Sequence, residues 1–459
     1  MSASAILNQF NAVIFNTFTS SADVEGRTVV GGNMTGGASF DIHPGSAGAS
    51  AFAGLTVYGN ETSGTTFNVN NGGGVTIGGS NTGSYNLNGG GSVSVGAGNS
   101  GTINASSGNG SISVGGANSG TLSAGTGASV FVGGANTGGI SASAGSIAVV
   151  GGNSANLTLN SGGTIYTGAN SGSVSINGGT GTATVNGSNT GNLTLNNGGT
   201  ATINGNTGNV TLNGGSLTYT GSRTGNLNLN GGATAQQVGS VSITPPSAPA
   251  STLGSFASTF QTPLTALSGQ LSTMAANSSA AVSGNAITLN ASPNASGVAV
   301  FNLVTSLFTN NATVTLNLDG ATSVIINVNV DSCMQNACAF TFGSSVNFSS
   351  PTSYASAVLW NFVNATGLTF SNEFGGTVLA PLAAVTNNGP IDGTLVANSF
   401  SGNGELHSYP YTGTTASGGQ IGGGGNSTPA PEPATMAVLG VGLAGLAAVR
   451  RRRGRRTSR

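Results

Sequence analysis

The chain contains no lysine, and only 4% of its residues are charged. Seven of the nine arginines fall between Arg450 and Arg459, so everything before them is close to neutral and slightly acidic. Nucleic acid is therefore not an expected partner, because neutralising phosphates needs a basic surface. No aspartate or glutamate occurs between Glu61 and Asp319. That gap excludes calcium-binding nonapeptide repeats, whose glycine-rich turns look similar but take carboxylate oxygens as ligands. Cys333 and Cys338 are the only cysteines, and neither histidine is near them in sequence. Two thiols alone do not build a structural zinc site, so a small disulfide closing the intervening turn is the expectation for a protein that leaves the cytoplasm. Met1 to Phe18 lacks a positive n-region and an unbroken apolar stretch, and does not read as a signal peptide.

What the chain has is glycine, 80 of 459 residues, set in a repeat over residues 55–239. The asparagines Asn81, Asn99, Asn118, Asn136, Asn153, Asn170, Asn189 and Asn206 recur every 17 to 19 residues. That spacing is too short for a pair of helices and suits one coil of a β-solenoid. Each coil holds two strand-like triplets, such as Val75-Thr-Ile and Tyr85-Asn-Leu, separated by glycine corners. Alternation of period two puts Val75, Ile77, Tyr85, Leu87, Val93, Val95, Leu193, Leu195, Leu227 and Leu229 inside. It leaves Asn86, Asn104, Ser123, Ser141, Thr158, Ser175, Thr194, Thr211 and Asn228 outside as one polar column. The recurrent asparagines are expected to ladder at a corner, with Arg223 breaking the ladder. About ten coils make a rod on the order of 50 Å long. A disordered Gly/Ser/Asn linker has a similar composition, but a linker does not keep Val, Ile and Leu in phase.

On either side of the repeat the chain changes character. Asn11-Ala-Val-Ile-Phe and Thr28-Val-Val predict two short strands around a turn carrying Asp23, Glu25 and Arg27, read as a salt-bridged cap on the first coil. After Pro245-Pro-Ser-Ala-Pro, the residues Phe256, Phe260, Leu264, Leu267, Leu271 and Met274 trace the stripe of an amphipathic helix, kinked at Pro263 and laid lengthwise on the rod. Strand signals return from residue 286. Gly376-Thr-Val-Leu-Ala-Pro is echoed by Gly393-Thr-Leu-Val-Ala-Asn 17 residues later, so these strands resume the solenoid. The expected fold class is thus all-β: a β-solenoid of 17–19-residue coils with one long α-helix along its side and a C-terminal transmembrane or sorting helix. Six segments follow: 1–54 as N-terminal cap and first strands, 55–239 as repeats, 240–285 as linker and helix, 286–413 as strands completing the solenoid, 414–430 as a flexible linker, and 431–459 as the tail. The apolar stretch 434–449 is a little short of the hydrocarbon core, and the arginines after it stay cytoplasmic by the positive-inside rule.

The tail resembles the PEP-CTERM sorting signal: Pro431, Glu432 and Pro433, then a small-residue apolar segment, then Arg450, Arg451, Arg452 and Arg453. The resemblance implies an exosortase-type membrane protease as partner. It also implies transient anchoring in the inner membrane of a Gram-negative bacterium, and a final place at the cell surface or in the extracellular matrix. An uncleaved membrane anchor is the alternative. Residues from about 8 to 413 resemble the choice-of-anchor A domain, through Asp23-Val-Glu-Gly-Arg, Val30-Gly-Gly-Asn, Leu359-Trp-Asn-Phe, Asp392-Gly-Thr-Leu-Val-Ala and Glu405-Leu-His. No catalytic residue comes with that family, and no cofactor is implied. The order of strands, helix and returning coils is also similar to bacterial ice-binding proteins. Proteins with this tail enter export through a signal peptide, so the start shown is expected to lie downstream of the true one.

The leading functional reading is a non-enzymatic, adhesin-like surface protein acting in adhesion, biofilm or floc formation, with exopolysaccharide or another surface polymer as its partner. Ice binding is a second class, for which Thr184, Thr202 and Thr218 form the one tidy run of threonines. A polysaccharide-acting β-helix enzyme is a third, and it needs clustered carboxylates. The terminal part offers Asp319, Asp331, Glu373, Asp392 and Glu405, with His407 as a base, all outside the repeats. Protein recovered from the native cell surface should carry Cys333 and Cys338 oxidised. Unreduced mass spectrometry checks this, and free thiols there would count against export.

Overall fold

A strand with one apolar face buries it only when successive coils stack, and that requirement shapes the molecule. The structure is a computed structural model that describes residues 1–414 except Ser46, Ser251, Thr252, Asn310, Asn311 and Asn336. The tail helix, most of the 414–430 linker and the sorting residues Pro431 to Pro433 and Arg450 to Arg453 lie outside the described residues. The body is a parallel β-solenoid with three sides. On the first side, Leu55–Val57, Val75–Ile77, Val93–Val95 and their successors pair in register as far as Thr234–Gln237. The second side is an 11-stranded sheet from Ser39–Phe40 to Leu227–Asn230. On the third, the repeats touch through single-residue bridges that run along the recurrent asparagines.

The inward columns are as read from the alternation: Val75, Ile77, Tyr85, Leu87, Val93, Val95, Leu193 and Leu195 are all buried. Leu227 is only half-buried and Leu229 is 37% exposed. They point the right way, but they belong to the last coil of the second side, and no further coil covers them.

Chain order is not spatial order. Strand Ala12–Ile14 lies between Thr28–Val30 and Leu395–Ala397 and pairs with both in parallel. The N-terminal coil thus sits inside the rod, with the repeats extending one way and residues 286–413 the other. Asp23, Glu25 and Arg27 are accordingly not a cap on an end coil, nor are they bridged to one another. Asp23 accepts from Ser39 N (3.0 Å), Glu25 from Ser408 N (2.8 Å), and Arg27 donates to Gln9 O (3.0 Å). Each one ties the N-terminal coil to a neighbour. A short helix not foreseen from the sequence, α1 (Ala3–Gln9), precedes it, with the Ser2 hydroxyl accepting from Ala5 N.

Strands near this junction are buried on both faces, as in Val358–Phe362 and Ser323–Asn329. Their outward residues Val13, Val29, Val396, Leu379, Leu359 and Ile325 need a cover. It is supplied by helix α2 (Thr262–Ser272), whose Leu264, Leu267 and Leu271 pack on them. The helix lies lengthwise on the rod, as its stripe implied. Pro263 falls inside a helical run that is continuous from Phe256, directly after a π-helical turn at Ala257–Gln261, so the irregularity expected at the proline takes the form of that turn. A second contact is polar. Asn361 donates to Ser268 O (3.0 Å) and accepts from Ser268 Oγ (2.6 Å), Asn327 donates to Leu271 O (2.8 Å), and Asn302 to Met274 O (3.1 Å). Three stacked asparagines thereby hold the helix and satisfy backbone carbonyls near its C-terminus.

The outward column of the first side turns polar at Thr56, and there the helix cover stops. From the far end of the repeats, residues 238–250 and 253–255 run back to the helix along this side. Leu253 lies against Gly78 and Phe256 against Gly31. Phe131 and Tyr166, which point outward between inward neighbours, are only 7% and 6% exposed, and Val241, Ile243 and Pro246 are half-buried. The returning strap therefore crosses the first side and leaves the second bare. Replacing Leu195 with Asp buries a carboxylate with no partner and should cost several kcal/mol, while Thr194→Asp on the bare face should stay within about 0.5 kcal/mol. Thermal melts of the two variants check this, and equal melting would reverse the assigned facing.

Candidate binding face and the charged seam

An asparagine amide carries both donors and an acceptor, so identical asparagines stacked one coil apart can bond in series. Asn81, Asn99, Asn118, Asn136, Asn153 and Asn170 each donate Nδ2 to Oδ1 of the next, at 2.6–2.8 Å, ending on Asn189. Each also donates to the carbonyl two residues on, as Asn99 does to Gly101 O at 2.8 Å. All seven are buried, so the ladder satisfies the corner internally and is not a binding surface. Asn206 is not a rung. A register shift between Asn189 and Asn192 puts Thr207 opposite Asn189 and leaves Asn206 exposed. The ladder therefore ends before Arg223, which follows Thr207 in the bridges. At its other end stands the fully buried Glu61, whose carboxylate accepts from Thr82 N, Gly83 N and Ser63 N. A carboxylate has no N–H to give, and Asn81 Oδ1 is left without a partner.

The outward residues of the second side form the broadest exposed array. The column expected from the triplets pairs residue by residue through Asn86, Asn104, Ser123, Ser141, Thr158, Ser175, Thr194, Thr211 and Asn228, and Asn68 extends it by one position. Two flanking columns were not read from the sequence, because they fall at strand ends among the glycines. One runs from Thr66 and Ser84 to Asn209 and Asn226, the other from Asn70 and Asn88 to Asn213 and Asn230. Every position is Asn, Ser, Thr or Gly. Amides are again tied in series: Asn230 donates to Asn213 (2.9 Å), Asn213 to Asn196 (3.1 Å), Asn196 to Asn177 (3.0 Å) and Asn177 to Asn160 (3.3 Å). These bonds fix each amide plane before any ligand arrives. The first side carries its own threonines near the open end. Thr184, Thr202 and Thr218 are joined there by a parallel column of Thr182, Thr200 and Ser216.

The carboxylates suspected of chemistry separate into two groups. Asp319 is a turn residue with φ of 46°, and Asp331 accepts from Thr305 Oγ1 (2.9 Å) and Ser306 N (3.1 Å), bonds that lower its pKa. Glu373, Asp392, Glu405 and His407 do come together, at the seam where the N-terminal coil meets residues 374–407. His407 Nδ1 lies 2.6 Å from Asp392 Oδ1 and Nε2 lies 3.0 Å from Glu405 Oε2. The Asp392 carboxylate and, behind it, Glu405 hold the His407 pKa up at about 9 against the opposing effect of burial. Glu373 is raised by burial and by the neighbouring Asp392 carboxylate. Asp392 is fully buried and both imidazole nitrogens of His407 face carboxylates. The group is a clasp between coils. Among the described residues there is no cluster of three or more His, Cys, Asp or Glu able to hold a metal, and no helix long and apolar enough to cross a membrane. Cys333 and Cys338 are joined by a disulfide in the loop after Ser323–Asn329.

Compared with known families, residues 3–129 and 126–408 match an ice-binding-like adhesive domain, and residues 429–453 match the PEP-CTERM protein-sorting motif. No curated protein matches the chain. Among solved structures, the tapirin C-terminal domain of Caldicellulosiruptor kristjanssonii is similar over 87% of this chain and 94% of its own, at 14% identity and a TM-score of 0.19. An ice binding protein from an Antarctic bacterium of the Flavobacteriaceae is similar over 88% and 96%, at 15% identity and a TM-score of 0.21. Neither superposes closely enough to carry an argument about this chain.

The clasp gives a pH dependence of definite sign. A histidine whose folded pKa exceeds its unfolded value stabilises fully below about 6.5, and that contribution is lost as pH rises through the folded pKa of about 9. The melting temperature of the full chain should therefore fall between pH 7 and 10, and His407→Gln should flatten the fall. Identical pH profiles for the two proteins would show that the clasp does not hold the seam.

Proposed function

Since the chain belongs to the ice-binding-like adhesive domain family and carries a PEP-CTERM motif at its C-terminus, we propose that it is a non-enzymatic component of the cell surface or extracellular matrix that holds cells to one another or to surfaces, as in a biofilm or floc. The sorting motif makes it an exported protein recognised by an exosortase, and the adhesive domain suits an adhesin-like role. Processing at Pro431-Glu-Pro, Gram-negative origin and transient anchoring through residues 434–449 belong to the proposal. The observation that carries it is the bare second side, an uncharged array of amides and hydroxyls on a body joined to a sorting tail. Asp392 and Glu405 lie against His407 at the seam and no carboxylate lies among the repeats' outward second-side columns, which speaks against the polysaccharide-acting enzyme. The paired columns Thr182 with Thr184 and Thr200 with Thr202 favour ice binding as a second reading, since regularly spaced hydroxyls can order water.

Deletion of the gene should reduce cell aggregation and surface attachment, and complementation should restore them; unchanged attachment would remove the adhesive role. Inhibition of ice recrystallisation by the purified chain, with no effect on attachment, would favour the second reading. Intact mass of the surface protein should show loss of the tail from near Pro431. A species that retains Arg450 to Arg459 would rule out processing, and replacing Pro431-Glu-Pro should leave a membrane-bound form.

A further inference from the structure

The second side is not uniform along its length. In its outer column Asn70 and Asn88 stand at one end and Asn160, Asn177, Asn196, Asn213 and Asn230 at the other, while the positions between hold only Ser106, Gly125 and Ser143. Short side chains between long ones make a trough, and a shallow groove is found there, floored by Asn104, Ser123 and Ser141. Four strand spacings separate Asn88 from Asn160, about 19 Å along the rod. The nearest carboxylate on this side is Asp41, beyond Asn70, and none follows it to the open end.

Where the chain leaves the described body fixes which side is free. Tyr411 is fully buried, with its hydroxyl 2.7 Å from Ser323 Oγ and its N–H donated to Leu7 O, and Ser323 Oγ also donates to Thr414 O. The remaining 45 residues therefore start on the helix-bearing side, one strand from the end of the rod opposite the repeats. A body held by that tail has its first side toward the tether, with helix and strap on it, and its second side away.

We propose that the trough on the second side is the binding site for a neutral polysaccharide segment lying parallel to the rod axis. The inference rests on the adhesive reading and names its surface and partner. The chemistry selects the partner by elimination. A polyanion or polycation meets no opposite charge here, and a protein partner meets no apolar or aromatic anchor of the kind that dominates protein interfaces. A chain of uncharged hydroxyl groups meets donors and acceptors along its whole length. The rise of one coil is also close to the advance of one pyranose along an extended glycan, so each sugar lies over about one rung. Asn88 and Asn160 wall the trough at its two ends and limit the segment to a few sugars.

Affinity electrophoresis of the full chain in gels containing a soluble β-glucan or a galactomannan, with polygalacturonate as the anionic counterpart, tests it. Retardation by a neutral polymer that persists in 0.5 M salt is expected, weakened at least tenfold by Ser141→Asp and unchanged by Thr202→Asp on the first side. Ser143→Asn offers a variant that keeps the face neutral and extends the amide series; it should fill the trough, weaken binding and leave the melting temperature equal or higher. Retardation by polygalacturonate alone, equal loss in Thr202→Asp, or undiminished binding by Ser143→Asn would each overturn the assignment. No retardation in either neutral polymer would do so too. Attachment lost on gene deletion alongside no binding to neutral polymer would leave the adhesive role standing and sink only the trough.

Discussion

Strand Ala12–Ile14 is hydrogen-bonded on one edge to residues 28–30 and on the other to residues 395–397, and everything else in the molecule is arranged around that double pairing. A parallel solenoid has two open edges, and unpaired strand edges invite association with other chains. Joining the two halves through the N-terminal coil removes an edge from each. The cost is a contact of very high sequence separation, which cannot form until most of the body exists. The seam accordingly concentrates the chain's few charges, with Glu25, Asp392, Glu405 and His407 clasping neighbouring coils. Electrostatics is used here where the chain must register with itself over nearly 400 residues, while the repeats, which register with their immediate neighbours, use amides.

The two halves protect their first side differently, for a reason visible in single residues. Where the outward residue is Val13, Val29 or Val396, an apolar surface faces water and must be covered, and α2 covers it. From Thr76 onward the outward residues are mostly small and polar, and only Phe131 and Tyr166 require shelter. Both are nearly buried, and Val241, Ile243 and Pro246 of the returning strap are half-buried in turn. The second side has no such residue anywhere in the repeats and needs no cover, which is the physical reason it remains free for a partner.

Much of this was legible from the chain alone because stacking converts a local pattern into a global one. Once Val75-Thr-Ile is a strand with Thr76 outward, the same phrase at each coil fixes whole columns, and the sequence column from Asn86 to Asn228 pairs without exception. The returning phrase at Gly376 and Gly393 already implied that the N-terminal strands and residues 286–413 form one body with the repeats as an extension, but not the register, because nothing local to Ala12 indicates pairing with Leu395. The ladder was misread at its end for a different reason. Asn206-Thr-Gly keeps the wording of Asn189-Thr-Gly, but the following coil is one residue shorter there, and a one-residue slip moves the asparagine out of the ladder. The stacked Asn302, Asn327 and Asn361 that grip the helix carried no signal, since asparagine is common throughout the chain and their spacing follows no repeat.

The strap makes the length of the rod a matter of arithmetic. Eleven successive pairings separate Thr28–Val30 from Thr234–Gln237, a distance of about 53 Å. The 18 residues of 238–255 reach about 60 Å when fully extended. Slack for one further coil exists, hardly for two. A gene that gains repeats by duplication must therefore lengthen this connection in step, or else pull α2 off the apolar surface it shields. The strap acts as a ruler on repeat number, and insertions in the two segments are bound to arise together.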